Sequence, residues 1–217
     1  MALALFDLDN TLLAGDSDYL WGQFLIEQNL VDKEYYEKEN QRFLDLYHQG
    51  KLDIYEFAEF AYRPLAENDL DKLTKLHQQF MQEKIRPIIT DKSRSLVEKH
   101  KSEGDTLVII TATNSFVTGP IAKEFGIENL IATEPETNNG KFTGKIAGTP
   151  CFQEGKVTRL KKWLLEKNIK SENCVFYSDS NNDLPLLKMV KNPVAVDPDD
   201  KLKAIAEENN WPVMSLR

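Results

Sequence analysis

The chain opens with an unbroken apolar run, residues 2–6, that meets Asp7-Leu-Asp-Asn-Thr11 without a spacer. A run this short, closed by a polar turn, predicts a strand buried on both faces. The period then turns helical as far as Pro87. Asp16 or Ser17 caps a helix with Leu20, Trp21, Phe24 and Leu25 on one face. A second helix ends at Gly50, a residue free to take the left-handed conformation at a helix C-terminus. Asp53 and Glu56 have the spacing of a capping box, with Asp replacing Ser or Thr, at the start of a helix carrying Ile54, Phe57, Ala58 and Ala61. A fourth helix carries Leu70, Leu73, Leu76, Phe80 and Met81 and stops before Pro87. The pattern predicts a helical cap over residues 13–87, inserted after the first strand.

From Asp91 helix and strand alternate. A helix over about 91–103 ends at Gly104, and residues 106–110 are a β-branched apolar run that predicts a second buried strand. Asn114 can cap a helix reaching Phe125, and residues 130–133 predict a short strand. Asn139-Gly140 ahead of residues 141–146 predicts a hairpin. A helix over 154–167 leads to a strand at 174–177 and a polar turn, Ser178-Asp-Ser-Asn-Asn-Asp183; residues 194–196 and 213–215 add further strands. The fold class is α/β: a Rossmann-like, doubly wound parallel sheet with residues 1–12 and 88–217 as its core.

Composition changes this picture little. With 217 residues, 41% hydrophobic and 29% charged, the chain can bury one α/β core. The net charge of -8 argues against a protein built around nucleic acid, since scattered lysines make no basic face. The apolar start is too short for a signal peptide or a membrane span, so a cytoplasmic protein without a membrane partner is expected. Cys151 and Cys174 form no Cys-x-x-Cys pair, and His48, His77 and His100 share no metal spacing; all five are expected to be structural or solvated. Nothing in the pattern specifies an oligomeric state.

In doubly wound sheets the ligand site lies beyond the carboxyl ends of the strands. Three predicted strands end there in Asp7 and Asp9, in Thr111, and in Asp179 and Asp183. A regular strand would put Asp7 and Asp9 on one face, whereas a tight turn aims them differently. Carboxylates gathered at one rim repel unless a cation sits among them, and hard oxygen donors favour Mg²⁺. Thr111, ahead of a helix start, offers either an ordinary N-cap or a hydroxyl for an anion. Lys156, at the start of a helix, opposes the dipole there; it is either a solvated lysine or one held by something outside the helix.

Taken together and in this order, Asp7-Leu-Asp-Asn-Thr11, Thr111, Lys156 and Tyr177-Ser-Asp-Ser-Asn-Asn-Asp183 resemble the motifs of the haloacid dehalogenase superfamily. Within it the chain is similar to the phosphoserine-phosphatase-like branch, over nearly its whole length. The resemblance implies a phosphomonoester hydrolase with Asp7 as nucleophile and Asp9 as general acid and then base. It further implies Mg²⁺ held by Asp7, the Asp9 carbonyl and Asp179, with Asp183 supporting through water. Thr111, Lys156 and Asn182 would bind the phosphoryl group. A phosphotransferase would differ only in the acceptor, and a receiver-type signalling domain would leave Asp9 and the cap without a use.

The resemblance also sets an expectation for the substrate, a small and cationic phosphorylated metabolite. Asp16 falls where phosphoserine phosphatases place an acid for the substrate amine, but Ala61 falls where they place an arginine for its carboxylate. Asn114 and the neighbouring Ala112-Thr113, with Ser178 and Ser180, resemble the variants of HAD-type histidinol-phosphatases. Histidinol phosphate has an ammonium, an imidazole and no carboxylate. It is the expected substrate, with phosphoserine the alternative should Arg63 swing inward in place of the missing arginine.

Overall fold

The computed structural model describes residues 2–170 and 172–217. Its sheet has seven strands in the order β4-β3-β2-β1-β5-β6-β7. These are β1 (Leu3–Phe6), β2 (Thr106–Asn114), β3 (Asn129–Asn138), β4 (Lys141–Ala147), β5 (Cys174–Ser178), β6 (Asn192–Val196) and β7 (Val213–Met214). Among the described residues, β3 and β4 are the one pair of these strands that runs antiparallel. β1 is central, with Phe6 in register with Ile109 of β2 and Tyr177 of β5. Its side chains alternate between two cores: Ala4 and Phe6 pack on one face, Leu3 and Leu5 on the other. That double burial is why the run is apolar without a break. The chain order reverses across β1, with β2 on one side and β5 on the other, which makes a crevice at their carboxyl ends.

Between β1 and α6 (Asp91–Ser102) lie α1 (Ser17–Glu27), α2 (Lys33–Gln49), α3 (Ile54–Ala61), α4 (Arg63–Glu67) and α5 (Leu70–Phe80). Asp16, not Ser17, caps α1 by accepting from Asp18 and Tyr19 N–H. Gly50 ends α2 at φ 72°, the left-handed conformation that lets its N–H close the last turn. Only half of the capping box forms on α3. Asp53 accepts from Tyr55 and Glu56 N–H, but the Glu56 carboxylate turns to Arg42 at 2.8 Å. Trp21 stacks on Phe24, and Phe80 meets the Trp21 ring edge-on, where α1 meets α5.

β2 and β3 run longer than their apolar stretches. Asn139 and Gly140, both at positive φ, make a tight turn that pairs β3 with β4, and the resulting ribbon packs against α3 and α4. α7 (Ser115–Glu124) and α8 (Glu154–Lys167) fall where the period predicts them. α9 (Leu184–Leu187) and α10 (Asp200–Glu208) do not stand out in the apolar pattern, because α10 buries only Leu202 and Ala206. The Asp199 cap is its one local signal. His100 is buried between Asp105 and the Tyr177 hydroxyl, and His77 bonds the Val117 carbonyl, so both serve packing. Both cysteines are free and buried. Among the described residues no helix is long and apolar enough to cross a membrane.

Candidate active site

β1 stops at Phe6, and Asp7 continues extended with its N–H on the Tyr177 carbonyl at 2.9 Å. The chain then turns through residues 8–12, closed by Leu13 N–H on the Leu8 carbonyl, with Asn10 in the left-handed region at φ 54°. This turn parts the two aspartates. The Asp7 carboxylate accepts from Lys156 Nζ at 2.8 Å, while Asp9 accepts from Ser17 N–H at 2.6 Å and Thr113 Oγ1 at 2.7 Å.

Lys156 is 2% exposed, which rules out the solvated alternative. Its ammonium also donates to Asp183 at 2.8 Å, so one cation joins a strand-end carboxylate to one on the loop after β5. A tight loop delivers it there. Gly155 is required, because a Cβ at that position would lie 2.0 Å from the Pro150 carbonyl oxygen. Burial opposes the Lys156 charge, but Asp183 and Asp7 outweigh it and hold the ammonium above its ordinary pKa. Asp183 also accepts from the Ser178 hydroxyl at 2.7 Å, which fixes its carboxylate beside Lys156. Thr11, which the sequence reading leaves without a role, donates to Asp179 at 2.9 Å and accepts from the Asp179 N–H at 3.0 Å. That single hydroxyl locks the first turn to the loop after β5.

Thr111 is buried and lines the cleft; its Oγ1 accepts from Thr113 N–H, leaving the hydroxyl hydrogen for an anion. Three other residues of the expected site engage protein groups. The Asn114 side chain caps α7 through Val117 N–H at 3.0 Å and is not among the cleft-lining residues, since an unpaired helix start claims it. Arg63 lies on the exposed side of α4, 3.4 Å from Glu67 and over the Tyr35 ring, outside the cleft. Asn182 is buried at the site's edge but donates to the Tyr47 carbonyl at the end of α2 and accepts from Gln153.

The cleft is lined by the carboxylates of Asp7, Asp9, Asp16 and Asp18 and by Phe43, Tyr47, Leu52 and Phe57. Among the described residues no Lys or Arg lines it. Burial pushes Asp7 up to about 7, offset in part by Lys156 and reinforced by Asp183 and Asp9. Asp9 is raised to about 6, first by desolvation and then by Asp16, with Ser17 and Thr113 pulling the other way. Desolvation and then Asp7 raise Asp179 well above an ordinary carboxylate, and Asp18 is raised by desolvation, Asp16 and Asp9. Asp7 and Asp179 follow the paired strands β1 and β5 and offer carboxylate oxygens, the donor type that a hard divalent ion such as Mg²⁺ takes.

A mainly parallel sheet whose central strand ends in a lysine-paired aspartate, with the acidic loop after β5 and the Thr111 hydroxyl beside it, defines a hydrolase of the haloacid dehalogenase type. The chain belongs to the haloacid dehalogenase-like hydrolases, whose family model matches residues 4–188. A histidinol-phosphatase of Neisseria meningitidis serogroup C (strain 8013) is 45% identical over 219 residues, covering 99% of both chains. A phosphoserine phosphatase of Mycobacterium tuberculosis is 28% identical, over all of this chain and 71% of its own length. Among solved structures, a protein of unknown function from Bordetella pertussis Tohama I superposes with a TM-score of 0.94 at 42% identity, covering 100% of this chain and 99% of that one. A substrate-bound phosphoserine phosphatase superposes at 0.70 and 18% identity, covering 100% and 93%, a likeness of fold alone. The chain is a phosphatase.

Proposed function

We propose that the protein hydrolyses histidinol phosphate, with Asp7 as the phosphoryl acceptor. The observation that carries this reading is the cleft: a lysine-paired aspartate at one end, and walls of carboxylate and aromatic side chains without an arginine or lysine. An amino-acid phosphate would bring its carboxylate beside Asp16 and Asp18 with no cation to meet it, whereas an ammonium and an imidazole are complementary to such walls. The 45% identity to a histidinol-phosphatase supports the same substrate.

In this mechanism an Asp7 oxygen attacks phosphorus as the bond to the alcohol oxygen breaks, and Asp9 gives the departing alkoxide its proton. Water then attacks the aspartyl-phosphate, Asp9 takes its proton, and phosphate leaves with the Asp7 carboxylate restored. Lys156 and Thr111 hold the phosphoryl oxygens. Asp7, the Asp9 carbonyl and Asp179 are the residues that would hold Mg²⁺, which supplies positive charge against the developing phosphoryl charge. Residues 13–87 act as a cap whose α2 and α3 side chains exclude water and select the substrate.

Two measurements test this reading. A phosphate-release assay should give a kcat/KM for histidinol phosphate roughly 10²-fold or more above that for phosphoserine. A preference for phosphoserine that disappears in Arg63→Ala reverses the assignment. The second concerns the metal. EDTA should remove activity and Mg²⁺ restore it, and the rise in melting temperature with Mg²⁺ should be larger near about pH 8 than near about pH 5. The sign follows from Asp7, which sits at about 7 in the fold against an ordinary 3.8. The folded protein binds that proton more tightly than the unfolded chain, so metal-free stability falls as pH rises from about 4 through about 7. Mg²⁺ binds the deprotonated form and offsets that loss; equal shifts at both pH values, or activity undiminished by EDTA, count against the metal site.

A further inference from the structure

Asp9 stands on the turn after β1, and two donors hold its two carboxylate oxygens. Ser17 N–H, in the first turn of α1, reaches one carboxylate oxygen at 2.6 Å, and Thr113 Oγ1, from a position 104 residues away, reaches the other at 2.7 Å. Thr113 is 6% exposed and lies in β2, where the register with β3 shifts between Ile110 and Asn114. Positions two apart on a strand share a face, and Thr111 and Thr113 both line the cleft. Their hydroxyls are nonetheless used differently. Thr111 Oγ1 accepts the Thr113 N–H and keeps its hydrogen for a ligand, whereas Thr113 Oγ1 donates to Asp9.

We propose that Thr113 is a positioning residue for proton transfer: its hydroxyl fixes the plane of the Asp9 carboxyl, so that the acid faces the leaving oxygen. The inference rests on the reading of Asp9 as general acid. A carboxyl held by the Ser17 N–H alone pivots about that bond, and the second donor on the other oxygen removes the pivot. Proton transfer in the transition state depends on hydrogen-bond alignment, so a loosened acid loses part of the roughly 10²–10⁴-fold that such a group contributes.

Leaving-group chemistry isolates this role. An alkoxide needs a proton as it departs, whereas p-nitrophenolate is a weak base and leaves with little help. The ratio kcat/KM ends at the departure of the alcohol, so the later attack by water does not blur the comparison. Thr113→Val removes the hydroxyl and keeps the branched shape. For the better of histidinol phosphate and phosphoserine, its kcat/KM should fall by roughly 10–100-fold. The loss with p-nitrophenyl phosphate should be about tenfold smaller, and Thr113→Ser should recover most of both. Asp9→Asn, assayed in parallel, should discriminate between leaving groups in the same direction and more strongly. Equal losses with both substrates in Thr113→Val, or no recovery in Thr113→Ser, overturn the assignment of Thr113 while a discriminating Asp9→Asn leaves Asp9 in place. No discrimination in Asp9→Asn removes the general acid and the proposal with it.

Discussion

Asp7→Asn should be inactive and at least as stable as the wild-type protein. Loss of a nucleophile in enzymes that work through a covalent intermediate lowers turnover by on the order of 10⁵–10⁶-fold, because the remaining groups act only around the bond that it forms. Stability should move the other way. Asp7 is 3% exposed, and burial with its acidic neighbours lifts it to about 7, so holding it ionised near about pH 8 opposes folding. The amide carries no charge, its oxygen still accepts from Lys156, and Asp183 keeps the ammonium paired. Phosphate release and thermal melting in metal-free buffer check both halves. Near-normal turnover in a folded Asp7→Asn protein would falsify the nucleophile assignment.

Lys156→Met should fail for the opposite reason. The ammonium lies 2.8 Å from Asp7 and 2.7 Å from Asp183, with all three side chains almost without solvent contact. Removing one partner of a buried charge group leaves the others uncompensated and costs about 3–5 kcal/mol, even though methionine fills most of the space. The deficit should depend on pH. Without Lys156 the Asp7 carboxyl rises further above its ordinary 3.8, so the folded variant holds a proton that the unfolded chain has already lost. Stability is therefore lost as pH rises from about 4 through that raised value, and urea melts should show a larger deficit near about pH 8 than near about pH 5. Activity should fall at both, because the cation that we propose to hold the phosphoryl oxygens is gone. A deficit independent of pH would mean that packing around the lysine stem, not its charge, is what the substitution removes.

Much of the architecture is legible along the chain because its causes are local. The unbroken run of β1 and the buried run of β2 announce strands covered on both faces, the caps at Asp16, Asp53 and Asn114 start helices within three residues, and Asn139-Gly140 makes the turn between β3 and β4. The strand-end carboxylates are legible for the same reason, since a doubly wound sheet puts its strand ends on one rim. Which side chains meet across that rim is a different matter. Lys156 joins Asp7 and Asp183, Thr113 holds Asp9, Thr11 locks Asp179, and Asn182 bonds the end of α2 across spans of up to 168 residues. Those pairs follow from the register of β1 against β2 and β5 and from the turn at Asn10 that parts Asp7 from Asp9. Competition for partners decided the rest. Asn114 is drawn to the open end of α7, Arg63 to Glu67 on the outer side of its helix, and Glu56 to Arg42 instead of its own helix start. A short-range sequence signal states what a residue can bond, and the packed fold selects among the donors and acceptors brought within about 3 Å of it.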